Sequence, residues 1–150
     1  MENKKNVLML IADVHKLFHR HIRKEAEAIS LCECYRPIIF ALAHHDGLSQ
    51  LDLVNFTRFK APTISLTLQK MEVEGYVERK TSPDDARKTL VYITDKGREY
   101  DKQMIEIFKK SENDILSKFT EDELKGLEST LRKLINTMCQ EFGEHKNENI

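Results

Sequence analysis

The most constraining feature of this sequence is a change in the spacing of its apolar residues between residues 76 and 94. On both sides of this segment, apolar residues recur every three or four positions, which is the spacing of one face of an α-helix. Within it, residues 76–80 and 89–94 are rich in β-branched and aromatic side chains, and the polar residues Ser82–Asp85 separate them. Two such runs joined by turn residues predict a β-hairpin. The chain is therefore predicted to be mainly α-helical with one small hairpin.

Three helices are predicted before residue 58. Apolar residues keep helical spacing from Leu8 to Ile29, which predicts a long first helix. The second helix is predicted to begin near Pro37, because proline fits the first helical turn, and to end at Asp46-Gly47. Ser49 is predicted to be the N-cap of a short third helix. The apolar residues of that third helix are Leu51, Val54 and Phe56.

Three further helices are predicted around the hairpin. Pro62 opens a fourth helix that Gly75 closes, and the hairpin follows at once. After the hairpin, Thr94 or the next residue caps a long fifth helix. Thr120 and Glu123 have the spacing of a capping box and begin the last helix. Apolar residues at alternating steps of three and four predict that this last helix packs on another helix: Leu124, Leu127, Leu131, Leu134 and Met138.

Two short helices joined by a tight link, with a hairpin directly after the second, predict a winged helix-turn-helix. In such a fold the second helix enters the major groove of DNA, and the hairpin, called the wing, contacts an adjacent minor groove or the backbone. The fourth helix suits this role, because the small hydroxyl groups of its outward face can approach phosphates or base edges. An ordinary solvated helix face is the alternative. The candidate contacts are Thr63, Ser65, Leu66, which suits a thymine methyl, and Gln69, which suits adenine.

The tip of the hairpin places two cations beside two carboxylates. Asp85 is spaced to hold the guanidinium of Arg87, and an arginine so held can insert into a narrow, electronegative minor groove. Lys88 is the second cation. The alternative is a solvated turn whose surface ion pair contributes about 0–1 kcal/mol.

Charge, hydropathy and the motifs of the sequence exclude several classes of protein. The formal net charge of −1 gives no overall electrostatic attraction to nucleic acid. By segment, residues 58–88 hold seven Lys and Arg against five Asp and Glu, whereas residues 101–150 hold eight against eleven. We expect a cytoplasmic protein, because no apolar run is long enough for a membrane span and the N-terminus reaches Asp13 too soon for a secretory signal. We expect no cofactor. We do not expect an enzyme, since no nucleophile elbow, phosphate-binding glycine loop or metal quartet is visible.

The cysteines and histidines offer two alternative functions. Three cysteines without an export signal predict reduced thiols, and a disulfide between Cys32 and Cys34, two positions apart, would need special geometry. Cys32 and Cys34 nevertheless precede a helix start next to Arg36, where a thiolate can be stabilised, so a thiol-responsive regulator stays open. His15 with His19, and His44 with His45, leave a metal-responsive regulator open, although a third ligand is not apparent.

Several of these segments resemble the MarR family of transcriptional regulators. The recognition helix is represented by Pro62-Thr63-Ile64-Ser65 and Leu68-Gln69-Lys70-Met71, and the first wing strand by Gly75-Tyr76-Val77-Glu78-Arg79. Asp85-Ala86-Arg87 in the wing and Ile93-Thr94-Asp95-Lys96-Gly97 after it are the most specific part of the match. The long helices at both ends also match the layout of the family, so the resemblance covers nearly the whole chain.

The resemblance implies a homodimeric repressor that reads a pseudo-palindromic operator in double-stranded DNA. Residues 1–34 and 101–145 would form the dimerisation helices, and residues 35–100 the winged helix-turn-helix lobe. Two-fold symmetry places the recognition helices about one DNA turn, roughly 10 bp, apart. A winged-helix module that binds protein instead of DNA is a further alternative. The implied DNA contacts are Thr63, Ser65, Gln69 and Arg87, with Lys60, Pro62 and Leu66 as secondary ones; an aliphatic Leu66 replaces the basic residue of many members.

The resemblance also implies a small-molecule effector, commonly aromatic or anionic. In the family such molecules bind in a cleft between the dimerisation helices and the DNA-binding lobe, and binding changes the spacing of the two lobes. The alternative for residues at this helical spacing is ordinary core packing. The residues predicted to line the cleft are His15, Phe18, His19, Ile38, Ile39, Leu42, Tyr100 and Met104.

Overall fold

The computed structural model describes residues 6–57 and 59–143. These form two compact units, residues 1–109 and residues 110–150, within the limits just given. Residues 1–5, 144 and 145 of the predicted dimerisation segments lie outside the described residues. The elements in chain order are α1 (Val7–Ala28), a 3-10 turn (Glu33–Tyr35), α2 (Arg36–His44), β1 (Leu48–Ser49), α3 (Gln50–Thr57), α4 (Ala61–Val73), β2 (Val77–Thr81), β3 (Thr89–Ile93), α5 (Asp95–Leu116) and α6 (Glu121–Phe142).

The mainly α-helical fold with a hairpin wing is confirmed, and all six predicted helices are present. In the first unit, four of the nine residues of α2 are buried, and α1 contributes Ile22 and Ala26 to the same core. Helix α3 differs from the prediction, because Leu51 is 68% exposed whereas Leu53 is completely buried. Two helical turns hold too few residues for apolar spacing to identify the inward face.

The sheet has three strands where the sequence predicted two. Strands β2 and β3 pair antiparallel from Val77 opposite Ile93 to Thr81 opposite Thr89. The two residues of β1 pair with the other edge of β3, so that β3 lies in the middle of the sheet. Val91 and Ile93 of β3 face the core and are nearly completely buried. The base of the wing is thus fixed on both sides.

The junction between α1 and α2 corrects the prediction of reduced thiols. Cys32 and Cys34 are joined by a disulfide, whereas Cys139 is free. The backbone is extended at Cys32 and enters the 3-10 turn at the next residue. This change of direction brings the two Cα atoms to 5.3 Å, inside the range that a disulfide requires.

In the second unit, α6 begins at the predicted capping box. The Thr120 hydroxyl oxygen accepts a hydrogen bond from the Glu123 backbone N–H, and the Glu123 carboxylate accepts one from the Thr120 N–H. Gly143 ends the helix in the left-handed conformation, with φ of 65°. None of its residues is buried, and Leu127 and Met138 of the predicted seam are 50% and 40% exposed. No helix in the described part of the chain is long and apolar enough to cross a membrane.

Candidate nucleic-acid interface

Helix α4 has one buried and one exposed face. Lys60 precedes it with an extended backbone, and Pro62 occupies the first turn, where the missing N–H has no helical partner to lose. Ile64, Leu68 and Met71 are completely buried, as their spacing predicts. Burial of these three side chains fixes the rotation of the helix about its axis. The opposite face is therefore held towards solvent.

Most of the predicted major-groove residues lie on that exposed face. Thr63, Leu66 and Gln69 are exposed, and so are Lys60 and Pro62. Ser65 is half-buried and lies at the edge of the face. The exposed surface offers a hydroxyl, a carboxamide and an aliphatic side chain, all of which can contact base edges. We call this surface, formed by residues 62, 63, 65, 66 and 69, the reading face.

The tip of the wing presents its cations to solvent. The backbone N–H of Arg87 donates to the Asp85 carboxylate at 3.0 Å, and the Arg87 Nε atom lies 3.6 Å from the same Oδ1 atom. The Arg87 side chain is still 94% exposed. Lys88 is also exposed, and its backbone closes the tip by accepting from the Ser82 N–H at 2.8 Å. Asp85 thus orders the turn without covering the guanidinium.

The reading face and the wing are linked at the end of α4. Gly75 has a φ of 78°, which lets the chain turn directly from the helix into β2. The Thr94 hydroxyl donates to the Gly75 carbonyl at 2.7 Å, and Arg79 Nε lies 3.4 Å from a Glu72 carboxylate oxygen. These contacts join the end of α4 to β2 and to the residue that follows β3. The two surfaces that would contact DNA are therefore connected by direct contacts.

Asp46 is a positioning residue that the sequence reasoning did not single out for this role. Its Oδ1 atom accepts from the Ile93 N–H at 2.9 Å, and its Oδ2 atom accepts from the Arg98 guanidinium at 3.2 Å. One carboxylate therefore ties the turn after α2 to the base of the wing and to α5. The Asp-Gly pair indicated only a turn, because the partner N–H lies 47 residues away.

The residues predicted for an effector cleft fall into two groups. Phe18 and His19 are half-buried and His15 is exposed, with Phe18 packed edge-on against Phe108 at 5.6 Å between ring centroids. The others are at most 1% exposed and belong to the continuous core of the first unit. Such burial is typical of packing residues, so the effector cleft stays a prediction. These core residues are Ile38, Ile39, Leu42, Tyr100 and Met104.

The histidines that suggested a metal have other partners. The rings of His15 and His19 are in contact in a tilted arrangement, with centroids 4.3 Å apart, and His19 Nδ1 lies 2.9 Å from a Glu33 carboxylate oxygen. His44 Nδ1 lies 2.8 Å from the Phe40 carbonyl oxygen. Among the described residues, no group of three or more His, Cys, Asp or Glu side chains is arranged to hold a metal ion.

Sequence comparison finds that the chain is similar to transcriptional regulators. Residues 36–88 match the family model of the MarR family. Over 62 residues the chain is 37% identical to the HTH-type transcriptional regulator YdgJ of Bacillus subtilis (strain 168), covering 41% of this chain and 38% of that protein. It is 35% identical over 77 residues to the HTH-type transcriptional regulator BilQ of Clostridioides difficile (strain CD3), covering 50% and 52%. The chain thus spans about half or less of the length of these two relatives.

Solved structures extend the likeness to nearly the whole chain. A protein of Bacillus cereus ATCC 10987 described as a MarR-like transcription regulator is 27% identical, with a TM-score of 0.79 over 92% of this chain and 99% of that one. Apo MarR of Escherichia coli shares the fold at 19% identity, with a TM-score of 0.74 over 86% and 96%. The two relatives and the Bacillus cereus structure are named as transcription regulators.

Proposed function

We propose that the chain is a cytoplasmic transcriptional repressor of the MarR type, which binds a pseudo-palindromic operator as a homodimer. A small, aromatic or anionic effector would release it from DNA. The observation that carries the proposal is the combination of an exposed reading face on α4 with an exposed Arg87 on the wing. Operator binding of this kind needs a major-groove reader and a minor-groove cation on one connected segment.

Charge distribution supports the same function. Residues 58–88 carry a net charge of +2, within a chain whose overall formal charge is −1. A small local excess gives modest, salt-sensitive affinity, because each phosphate contact releases counterions. Two copies of such a reader on one operator would supply the affinity that a single copy lacks.

Exposed apolar side chains at the two ends of the chain support the homodimer. On α1, Val7, Leu8 and Val14 are between 50% and 67% exposed. On α6, Leu127 and Met138 are exposed along the predicted seam. Large exposed apolar side chains grouped along one helix are typical of surfaces that a partner covers. A second copy of the same chain, related by two-fold symmetry, is the partner we propose.

The wing provides the test of DNA binding. A duplex from the promoter region of the protein's own gene is titrated by fluorescence anisotropy at several salt concentrations. The variant Arg87→Ala should bind at least about 30-fold more weakly, because the homodimer loses two arginine contacts worth about 1–3 kcal/mol each. The slope of log K against log salt should also become shallower by about two.

Arg132→Ala is the matched control, because it removes an exposed guanidinium from α6, outside the winged segment. It should leave both affinity and slope unchanged. Equal titrations for the wild type and Arg87→Ala would refute the role of the wing. No binding to any promoter duplex, together with capture of a protein partner by the winged segment, would favour the protein-interaction alternative.

A further inference from the structure

The disulfide between Cys32 and Cys34 lies where small molecules can reach it. Cys34 is exposed and Cys32 is half-buried. Both line an open cleft of about 480 Å³. Charged side chains of both signs share this cleft, and its cations pair with its carboxylates, Arg23 with Glu33 and Lys70 with Glu74. The pair is therefore accessible to a small thiol or disulfide.

The residue after the disulfide, Tyr35, contacts the end of α4. Tyr35 is 1% exposed, and its hydroxyl donates to a Glu74 carboxylate oxygen at 2.9 Å. Burial and this hydrogen bond raise the pKa of Tyr35, so the hydroxyl stays protonated and remains a donor. Glu74 is the C-cap residue of α4, the helix that carries the reading face. One hydrogen bond thus connects the 3-10 turn with the end of the recognition helix.

Cys32 is hydrogen-bonded to Tyr100, a residue of the core. The Tyr100 hydroxyl donates to the carbonyl oxygen of Cys32 at 2.7 Å. The rings of Tyr35 and Tyr100 both pack near Tyr76, at 5.4 and 5.6 Å between ring centroids. Tyr76 follows Gly75 at the start of the wing. A change in the backbone between Cys32 and Cys34 would therefore act on two tyrosines that contact the winged segment.

We propose that Cys32 and Cys34 form a thiol–disulfide exchange site for low-molecular-weight thiols, and that its oxidation state sets the affinity of α4 for DNA. The inference rests on the proposed function as a DNA-binding regulator. In proteins of the cytoplasm, disulfides are usually transient and redox-sensing rather than structural. The contacts from Tyr35 to Glu74 give this pair a direct connection to the reading face.

The chemistry is a two-electron exchange. A thiolate of the reductant attacks one sulfur of the disulfide and forms a mixed disulfide, and the other cysteine leaves as a thiolate that takes up a proton. A second thiol of the reductant then attacks the mixed disulfide. The products are two protein thiols and one disulfide of the reductant. Oxidation by a low-molecular-weight disulfide runs through the same steps in reverse.

The oxidised form should bind DNA more tightly. The disulfide restricts the 3-10 turn and so keeps Tyr35 in the position from which it reaches Glu74. Reduction frees the turn, and DNA binding must then order it again, which makes the free energy of binding less favourable. Couplings between sites typically change affinity by about 5- to 150-fold. We expect the full-length reduced protein to bind its operator at least about fivefold more weakly.

The experiment compares two redox states of the full-length protein. One sample is oxidised with a glutathione disulfide buffer and the other is reduced with dithiothreitol, and thiols are counted by alkylation and mass spectrometry. The oxidised protein should show one thiol, from Cys139, and the reduced protein three. Equal operator affinities, or tighter binding by the reduced protein, would overturn the proposal.

Variants test the disulfide and its coupling to α4 separately. Cys32→Ser combined with Cys34→Ser should bind like the reduced wild type in both buffers, whereas Cys139→Ser should keep the response. Tyr35→Phe should still form the disulfide but lose most of the difference in affinity, because it removes only the bond to Glu74. A full response in Tyr35→Phe would overturn the coupling. Absence of DNA binding in both redox states would instead refute the proposed function.

Discussion

Replacing Gly97 by alanine should destabilise the protein, because the added Cβ atom has no room. Gly97 lies in the first turn of α5 and is buried. An ideal Cβ there would lie 2.4 Å from the Tyr76 carbonyl oxygen and 2.7 Å from Cγ1 of Ile93. The first of these atoms belongs to the backbone, and that carbonyl also accepts from the Thr94 N–H at 3.2 Å. Relief of the clash must therefore shift the base of the wing or the start of α5.

The magnitude follows from two opposing effects. Overpacking a core typically costs about 1–3 kcal/mol, and two contacts below 3.0 Å, one with the backbone, indicate the upper end of this range. Alanine regains about 1 kcal/mol, because it is the better helix former. The net loss should be about 2 kcal/mol. For a chain of 150 residues this lowers the melting temperature by about 4–8 °C.

The assay is thermal unfolding followed by circular dichroism at a fixed protein concentration, since a dimer's melting temperature depends on concentration. Gly126→Ala in α6 is the matched control, because nothing lies within 4 Å of the Cβ that it adds. That variant should gain up to about 1 kcal/mol from helix propensity. A melting temperature of Gly97→Ala equal to or above that of the wild type would refute the argument from close packing.

Two further predictions concern the reading face and the start of α3. Gln69→Ala should reduce discrimination between operator and unrelated duplex by about 1–3 kcal/mol for each of the two copies on the operator, while leaving binding to unrelated duplex unchanged, measured by competition titration; equal discrimination would exclude Gln69 as a base contact. Hydrogen bonds from the Ser49 hydroxyl and N–H hold the pKa of Asp52 below its usual range. The folded protein therefore gains stability above about pH 4, and this gain is lost as the pH falls through the pKa of Asp52 in the folded state. Ser49→Ala should raise that pKa towards its ordinary value in a carboxyl NMR titration, and an unchanged pKa would contradict the assignment.

Long elements with repeated spacing were predictable from the sequence. The hairpin was predictable because the residues of its two strands alternate with period two and a polar turn separates the strands. The last helix was predictable from its capping box, which the structure contains in full. For α4, Pro62 and Gly75 marked the ends, and three residues at i, i+4 and i+7 identified the buried face.

Short elements and distant contacts could not be predicted. Strand β1 has two residues, too few for any periodicity, and forms because β3 offers it an edge. Leu53 rather than Leu51 faces the core, because the packing of α3, not its spacing, decides the inward side. The disulfide depends on the path of three residues through a 3-10 turn, which no apolar pattern encodes. The candidate DNA contacts could be named in advance because they lie on the side of α4 opposite its apolar stripe.

The arrangement of the sheet makes the wing a modular part for protein engineering. Because β3 is paired along both edges and two of its residues are buried, its base tolerates little change. The tip from Ser82 to Lys88 is closed by its own hydrogen bonds and contributes no residue to the core. Lengthening or exchanging this tip would therefore alter how far the cations reach at little cost in folding. Tips grafted from other regulators could be screened on this scaffold for new target preferences.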